Sequence, residues 1–306
     1  MMYLMLVVGF VLLIKGADFF VDGSSSIARL LKIPSVVIGL TIVAMGTSAP
    51  EAAVSITAGL AGNNDIAISN IIGSNIFNLL MVVGLCAVLR GVTTDKNILR
   101  RDLPVNIGIS SLLLIFLLDL KITRIEAALL LVLFTAYMIV VVEQGLKNRT
   151  EEQKEESSLS PGVSVIYIAG GLAAIIAGGN LVVDNASKIA ETFGLSQNLI
   201  GLTIVAVGTS LPELVTSVIA TRKGECGLAL GNAVGSCVFN ILFILGISGV
   251  LSPMKASGES LADISVLVVS AVLMLIFGKS RGRTSRIEGA VCMMIYAGYM
   301  VYAVVR

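Results

Sequence analysis

The segment GLTIVAMGTSAPE at residues 39–51 returns as GLTIVAVGTSLPE at residues 201–213, identical at 11 of 13 positions. The offset of 162 residues also aligns NIIGSNIFN at 70–78 with NAVGSCVFN at 232–240, and TRIE at 123–126 with SRIE at 285–288. Each half of the chain therefore repeats as a whole, and duplication of one unit is the economical explanation. A one-residue shift restores the match around the segments ending at Phe116 and Phe277.

The sequence around these motifs belongs in lipid. Of 306 residues, 56% are hydrophobic and 13% charged, a balance that ordinary soluble domains do not show. Runs such as MYLMLVVGFVLLI and AALLLVLFTAYMIVVV are apolar on every face, which excludes the alternating pattern of a membrane β-barrel. A helix crosses the hydrocarbon layer with about 20 residues and satisfies its own backbone there. The expected fold is all-α, a polytopic bundle of ten transmembrane helices at 2–28, 34–62, 66–89, 103–120, 125–143, 162–187, 197–221, 227–251, 262–278 and 287–305. Five spans per half make residues 1–143 and 162–306 repeats of inverted topology, joined by a charged linker at 144–161.

Charge placement agrees with that count. With ten spans, 15 Lys and Arg residues fall on the linker side and five on the other, while Lys15 lies within the first span. The positive-inside rule then places the linker in the cytoplasm and both termini outside a cell membrane. The first apolar run continues into KGADFFVDGSSS without a small-residue cleavage site, so the chain is expected to insert whole.

Several functions are disfavoured. A net charge of +1 without a basic stripe argues against nucleic-acid binding. The chain has no histidine, no nucleophile motif and no cofactor fingerprint, and its four cysteines are scattered. An enzyme is not expected, nor a soft-metal site or a resident cofactor. No phosphate-binding loop occurs, so an ion gradient is the expected energy source. Membrane lipid is the expected environment, and no obligate protein partner is evident.

Two charges remain to be explained. Glu51 is the only charged residue between Ile33 and Asn64, and Glu213 the only one between Thr192 and Thr221. An ionised carboxylate at mid-span costs about 2.5–3.5 kcal/mol or more, so its retention points to a cation or a polar partner. In GTSAPE and GTSLPE the proline removes the donor for Gly46 or Gly208, so each helix should break. Breaking is expected to free carbonyls around Ala44, Thr47, Ala206 and Thr209, beside the hydroxyls of Thr47, Ser48, Thr209 and Ser210. Asn70, Ser74 and Asn78, like Asn232, Ser236 and Asn240, recur every four residues and share one helix face. Gly73, Gly235, Gly84 and Gly246 should let these spans approach the broken helices.

Such an oxygen-rich set suits a hard cation, and two carboxylates balance one divalent charge, with calcium favoured and magnesium not excluded. Two buried carboxylates without a cation should resist switching between orientations, so transport by exchange is the expected mechanism. Sodium and protons both remain open as counter-ion, and a channel is the rival class because acidic side chains also line filters.

These motifs resemble those of the cation/calcium exchanger superfamily, in particular the prokaryotic sodium/calcium exchanger type, whose two repeats carry G-T-S-x-P-E and G-S-x-x-x-N. The resemblance covers essentially the whole chain. It implies ten helices, alternating access with the first and sixth spans sliding across the rest, and Ca2+ and Na+ as transported ions. It also implies metal ligands at Ala44, Thr47, Ser48, Glu51, Ser74, Asn78, Ala206, Thr209, Ser210, Glu213, Ser236 and Asn240. Some relatives carry aspartate at the position of Asn240, so this chain lacks one negative charge, which argues against potassium cotransport. Asp18, Asp22 and Asp184 are expected at solvated span ends or linings rather than as ligands.

Overall fold

The computed structural model describes residues 1–148, 159–194, 204, 206–280 and 282–305. Helices follow one another in the order α1 (Met2–Leu31), α2 (Ser35–Thr47), α3 (Ala49–Leu60), α4 (Asn64–Arg90), α5 (Ile98–Asp119), α6 (Arg124–Lys147), α7 (Pro161–Thr192), α8 (Ala206–Thr209), α9 (Leu211–Arg222), α10 (Cys226–Leu251), α11 (Glu259–Ser280) and α12 (Arg286–Val305). Among the described residues, eight of these are each long and apolar enough to cross a membrane, and α2 with α3 forms one more such unit, bent by 50°. The expected span at 197–221 ends in α8 and α9, while most of 197–205 lies outside the described residues, as does most of the linker.

Local chemistry sets the helix starts. Thr123 accepts from the backbone N–H of Glu126, whose carboxylate accepts from the backbone N–H of Thr123, and Ser285 and Glu288 repeat the exchange. The repeated TRIE and SRIE tetrapeptides are thus capping boxes at the heads of α6 and α12. Pro161 occupies the first turn of α7, where the missing N–H costs nothing, while Pro104 comes just after the π-helical turn Ile98–Asp102 that opens α5. Helix α5 begins five residues before the expected 103, and α7 ends five residues beyond the expected 187.

Four two-residue strands, β1 (Val92–Thr93), β2 (Lys121–Ile122), β3 (Met254–Lys255) and β4 (Arg283–Thr284), tie the two halves together. Strand β1 pairs with β4 and β2 with β3, both antiparallel. Each ladder joins one connection from each half. The loop after α4 therefore meets the one before α12, and the loop after α5 meets the one after α10.

Helices α4 and α10 form the interior and are the most enclosed. At the periphery α1 and α7 run antiparallel and approach closely at glycines. A Cβ at Gly16 would lie 2.8 Å from the carbonyl oxygen of Gly171, one at Gly171 2.7 Å from that of Gly16, and one at Gly178 2.7 Å from that of Gly9. Gly9, Gly16 and Gly23 are spaced by seven residues, which keeps them on one face and brings the two backbones together. The opposite face of α1, with Tyr3, Leu4, Val7 and Val11, is exposed and apolar, as a surface against lipid acyl chains must be.

Of the glycines expected to admit the broken helices, Gly235 does so: a Cβ there would lie 2.7 Å from Leu40 Cα. Gly84 and Gly246 instead admit α12 at Gly289 and α6 at Leu131. They lie too far along their helices to face the breaks. The counterpart segment for Gly73, around Leu202, lies outside the described residues.

Candidate functional site

The break in α2 and α3 falls at Ser48, whose φ of −82° and ψ of 9° leave the helical region; Ser210 does the same between α8 and α9, with φ −91° and ψ 6°. Each proline then sits in the first turn of the following helix, and each glutamate lies one residue beyond it. Glu51 and Glu213 thus stand at helix N-termini, where unpaired N–H groups favour negative charge. The freed backbone is less open than expected, because the Ala44 carbonyl accepts from the Ser48 N–H at 3.1 Å and from the Ser236 hydroxyl at 3.4 Å. Bending the chain at Ser48 rather than unwinding it keeps that bond. For the second half, Ala206 lies at the start of α8.

Both carboxylates are fully buried, and each is held by both halves of the chain. Ser210 donates to Glu51 Oε1 at 2.9 Å and Ser74 donates to it at 3.4 Å. Ser48 donates to Glu213 Oε1 at 2.7 Å and Ser236 at 3.5 Å. Each break thus supplies a hydroxyl to the opposite glutamate, which draws the two carboxylates to one centre. Among the described residues, the other oxygens, Glu51 Oε2 and Glu213 Oε2, are buried and make no hydrogen bond, and the same holds for Asn240 Oδ1 and both amide atoms of Asn78. Leaving one such group unmade costs about 1–3 kcal/mol, more for a charge. Buried polar atoms of this kind are costly unless a bound group satisfies them.

The remaining polar residues brace this centre. Asn232 accepts from Thr47 at 3.0 Å and donates to Ser217 at 2.9 Å. Asn70 accepts from Thr209 at 3.5 Å and donates to Ser55 at 2.9 Å. Both asparagines are thereby occupied in fastening the broken helices to α4 and α10, and a threonine hydroxyl that donates this way keeps its lone pairs. Asn78 begins a π-helical turn at Asn78–Val82, and Asn240 lies in the corresponding turn Phe239–Ile244. Such turns gather at functional sites because one extra residue re-aims side chains and carbonyls. They have no signature in this sequence.

The expected site residues Ala44, Thr47, Ser48, Glu51, Ser74, Asn78, Thr209, Ser210, Glu213, Ser236 and Asn240 are all buried. Among the described residues no three His, Cys, Asp or Glu side chains converge, so the donors beyond the two carboxylates are neutral oxygens. Asp18 and Asp22, on α1, both reach Lys223 at 2.6 and 2.7 Å. Burial opposes the charge on that lysine, but the two carboxylates outweigh it and hold its pKa above the usual value. The 162-residue offset maps Asp18, Asp22 and Lys223 onto Asn180, Asp184 and Ala61. Asn180 and Asp184 line a cavity of about 270 Å³ that also reaches Pro50, Val54, Thr209 and Pro212. The surface cluster of Asp18, Asp22 and Lys223 thus has no equivalent at Asn180 and Asp184, where alanine stands in place of the cation.

Known proteins resemble this chain in sequence and in fold. The sequence matches the family described as sodium/calcium exchanger protein over residues 1–143 and 163–305. It is 42% identical to CaxA of Alkalimonas amylolytica, provisionally named an antiporter, over 95% of each chain. It is 34% identical to the sodium/calcium exchanger MaX1 of Methanosarcina acetivorans, over 98% of this chain and 97% of that one. Its fold superposes on the sodium-calcium exchanger NCX_Mj, in a structure soaked with Na+ and Sr2+, with a TM-score of 0.87 at 32% identity, covering 98% of this chain and 97% of the other. The chain belongs to the sodium/calcium exchanger protein family, in the prokaryotic branch of the cation/calcium exchanger superfamily, and is a multi-pass membrane transporter rather than an enzyme.

Proposed function

We propose that this protein moves calcium across the cell membrane in exchange for sodium by alternating access, with Glu51 and Glu213 as the shared acidic ligands. The observation that carries this reading is the cluster of buried, unpartnered oxygens on Glu51, Glu213, Asn78 and Asn240. Calcium takes about 6–8 oxygens in flexible geometry. Hydroxyls of Thr47, Ser48, Ser74, Thr209, Ser210 and Ser236 and carbonyls of Ala44 and Ala206 complete the proposed set. The names of MaX1 and NCX_Mj support sodium as the counter-ion. The 270 Å³ cavity lined by Asp184, Thr209 and Pro212 supports access of the ion from that side.

The proposed topology has ten spans in two inverted repeats, 1–143 and 162–306, with linker 144–161 cytoplasmic and both termini outside. The two ladders favour it, because ten crossings put the loops at Val92 and Arg283 on one face and those at Lys121 and Met254 on the other.

More than two sodium ions per calcium would make the exchange electrogenic. Proteoliposomes loaded with sodium and diluted into sodium-free buffer should then take up calcium-45. An inside-positive potential should speed uptake, because net positive charge leaves with each cycle, and a collapsed proton gradient should change nothing. Protons could take sodium's place on the same carboxylates. Uptake that ignores sodium and follows the pH gradient would establish that alternative instead.

A further inference from the structure

Asn75 lies beside the proposed ligands without being one of them. It is fully buried on α4, its Nδ2 donates to the carbonyl oxygen of Cys237 at 3.1 Å, and its Oδ1 accepts from Asn240 Nδ2 at 3.0 Å. A backbone carbonyl can only accept, so the Asn75 atom facing it must be the NH2. The other Asn75 atom is then the oxygen, and the Asn240 atom facing that oxygen must in turn be an NH2. Asn240 Oδ1 is left turned away from this chain of bonds, and it is one of the buried oxygens with no partner.

The other half lacks this device. The offset maps Asn75 onto Cys237, whose thiol donates to the Asn75 carbonyl oxygen at 3.7 Å and has no amide with which to hold Asn78. Among the described residues neither amide atom of Asn78 has a hydrogen-bond partner. The two equivalent asparagines are therefore unequal, one held by a neighbouring amide and one without a hydrogen-bond partner among the described residues.

We propose that Asn75 is a positioning residue that fixes the amide of Asn240 with its oxygen toward the transported cation. This rests on the proposed role of Asn240 as a ligand. An amide presented the wrong way round offers N–H groups to the ion and repels it, so locking the orientation removes that state before calcium arrives.

Calcium-45 uptake by proteoliposomes of the full chain tests this with Asn75→Leu, Asn240→Ala and the double variant. Asn75→Leu keeps the volume and removes both bonds. It should raise the KM for calcium about 5-fold, the worth of one net hydrogen bond, with kcat little changed. The double variant should be no worse than Asn240→Ala, because Asn75 acts through Asn240. Additive losses in the double variant, or an unchanged KM in Asn75→Leu, would overturn the proposal while leaving Asn240 a ligand. A normal KM in Asn240→Ala would remove the ligand role itself. Should Asn75→Leu fail to fold, Asn75→Cys, which copies the residue of the other half, makes the same prediction.

Discussion

Replacing Glu213 with glutamine should abolish calcium exchange while leaving the protein folded, and Glu51→Gln should do the same. A carboxylate oxygen about 2.4 Å from a divalent ion interacts with it by on the order of 10 kcal/mol at an effective dielectric of about 20. Desolvation offsets most of that, yet a residual of about 3 kcal/mol still corresponds to roughly a 100-fold loss of calcium affinity. Folding should be spared because glutamine keeps the shape and its amide oxygen can accept from Ser48 or Ser210 at the positions held by Oε1. It also removes a buried charge that costs about 2.5–3.5 kcal/mol at mid-membrane. Melting in detergent should therefore show a variant at least as stable as the parent without calcium, and no further stabilisation when calcium is added. Full transport by either variant would remove the pair from the mechanism.

The second large effect concerns the α1 and α7 contact. Gly171→Leu should sharply reduce the yield of folded protein, because its side chain would start 2.7 Å from the Gly16 carbonyl oxygen and the Phe20 backbone nitrogen. Backbone atoms cannot turn aside, so relief requires the two helices to separate. Overpacking of this kind costs about 3 kcal/mol and often more where rigid backbone is the obstacle. Gly170→Leu is the matched control: the neighbouring residue is exposed, and a Cβ there has nothing within 4 Å among the described residues. Size-exclusion profiles and melting curves of the two variants should differ widely. Equal stability would mean that α1 and α7 do not pack through these glycines.

Much of this molecule could be read from residue order. The repeat at 39–51 and 201–213 exposed the duplication, and proline before a lone glutamate gave both the helix break and the acidic centre. The breaks occur at Ser48 and Ser210, where the loss of the proline N–H required them. Other features left a trace that was legible but passed over. The spacing of Gly9, Gly16 and Gly23 announces a helix contact of period seven, and TRIE and SRIE satisfy the capping-box pattern as well as the repeat.

The remainder was hidden because it depends on which helices meet. Nothing near Lys223 in the chain points to Asp18 and Asp22, some 200 residues away. Asn75 looks like one more polar residue in a span until α4 and α10 are laid side by side and the Cys237 carbonyl fixes its orientation. The π-helical turns at Asn78 and Asn240 follow from packing rather than from residue type.

The most direct examination of the acidic centre is anomalous X-ray scattering from crystals soaked in strontium, a heavier stand-in for calcium. A single strong peak should appear between Glu51 and Glu213, facing Asn240 Oδ1. A peak elsewhere, with these two carboxylates bonded only to protein, would contradict the account.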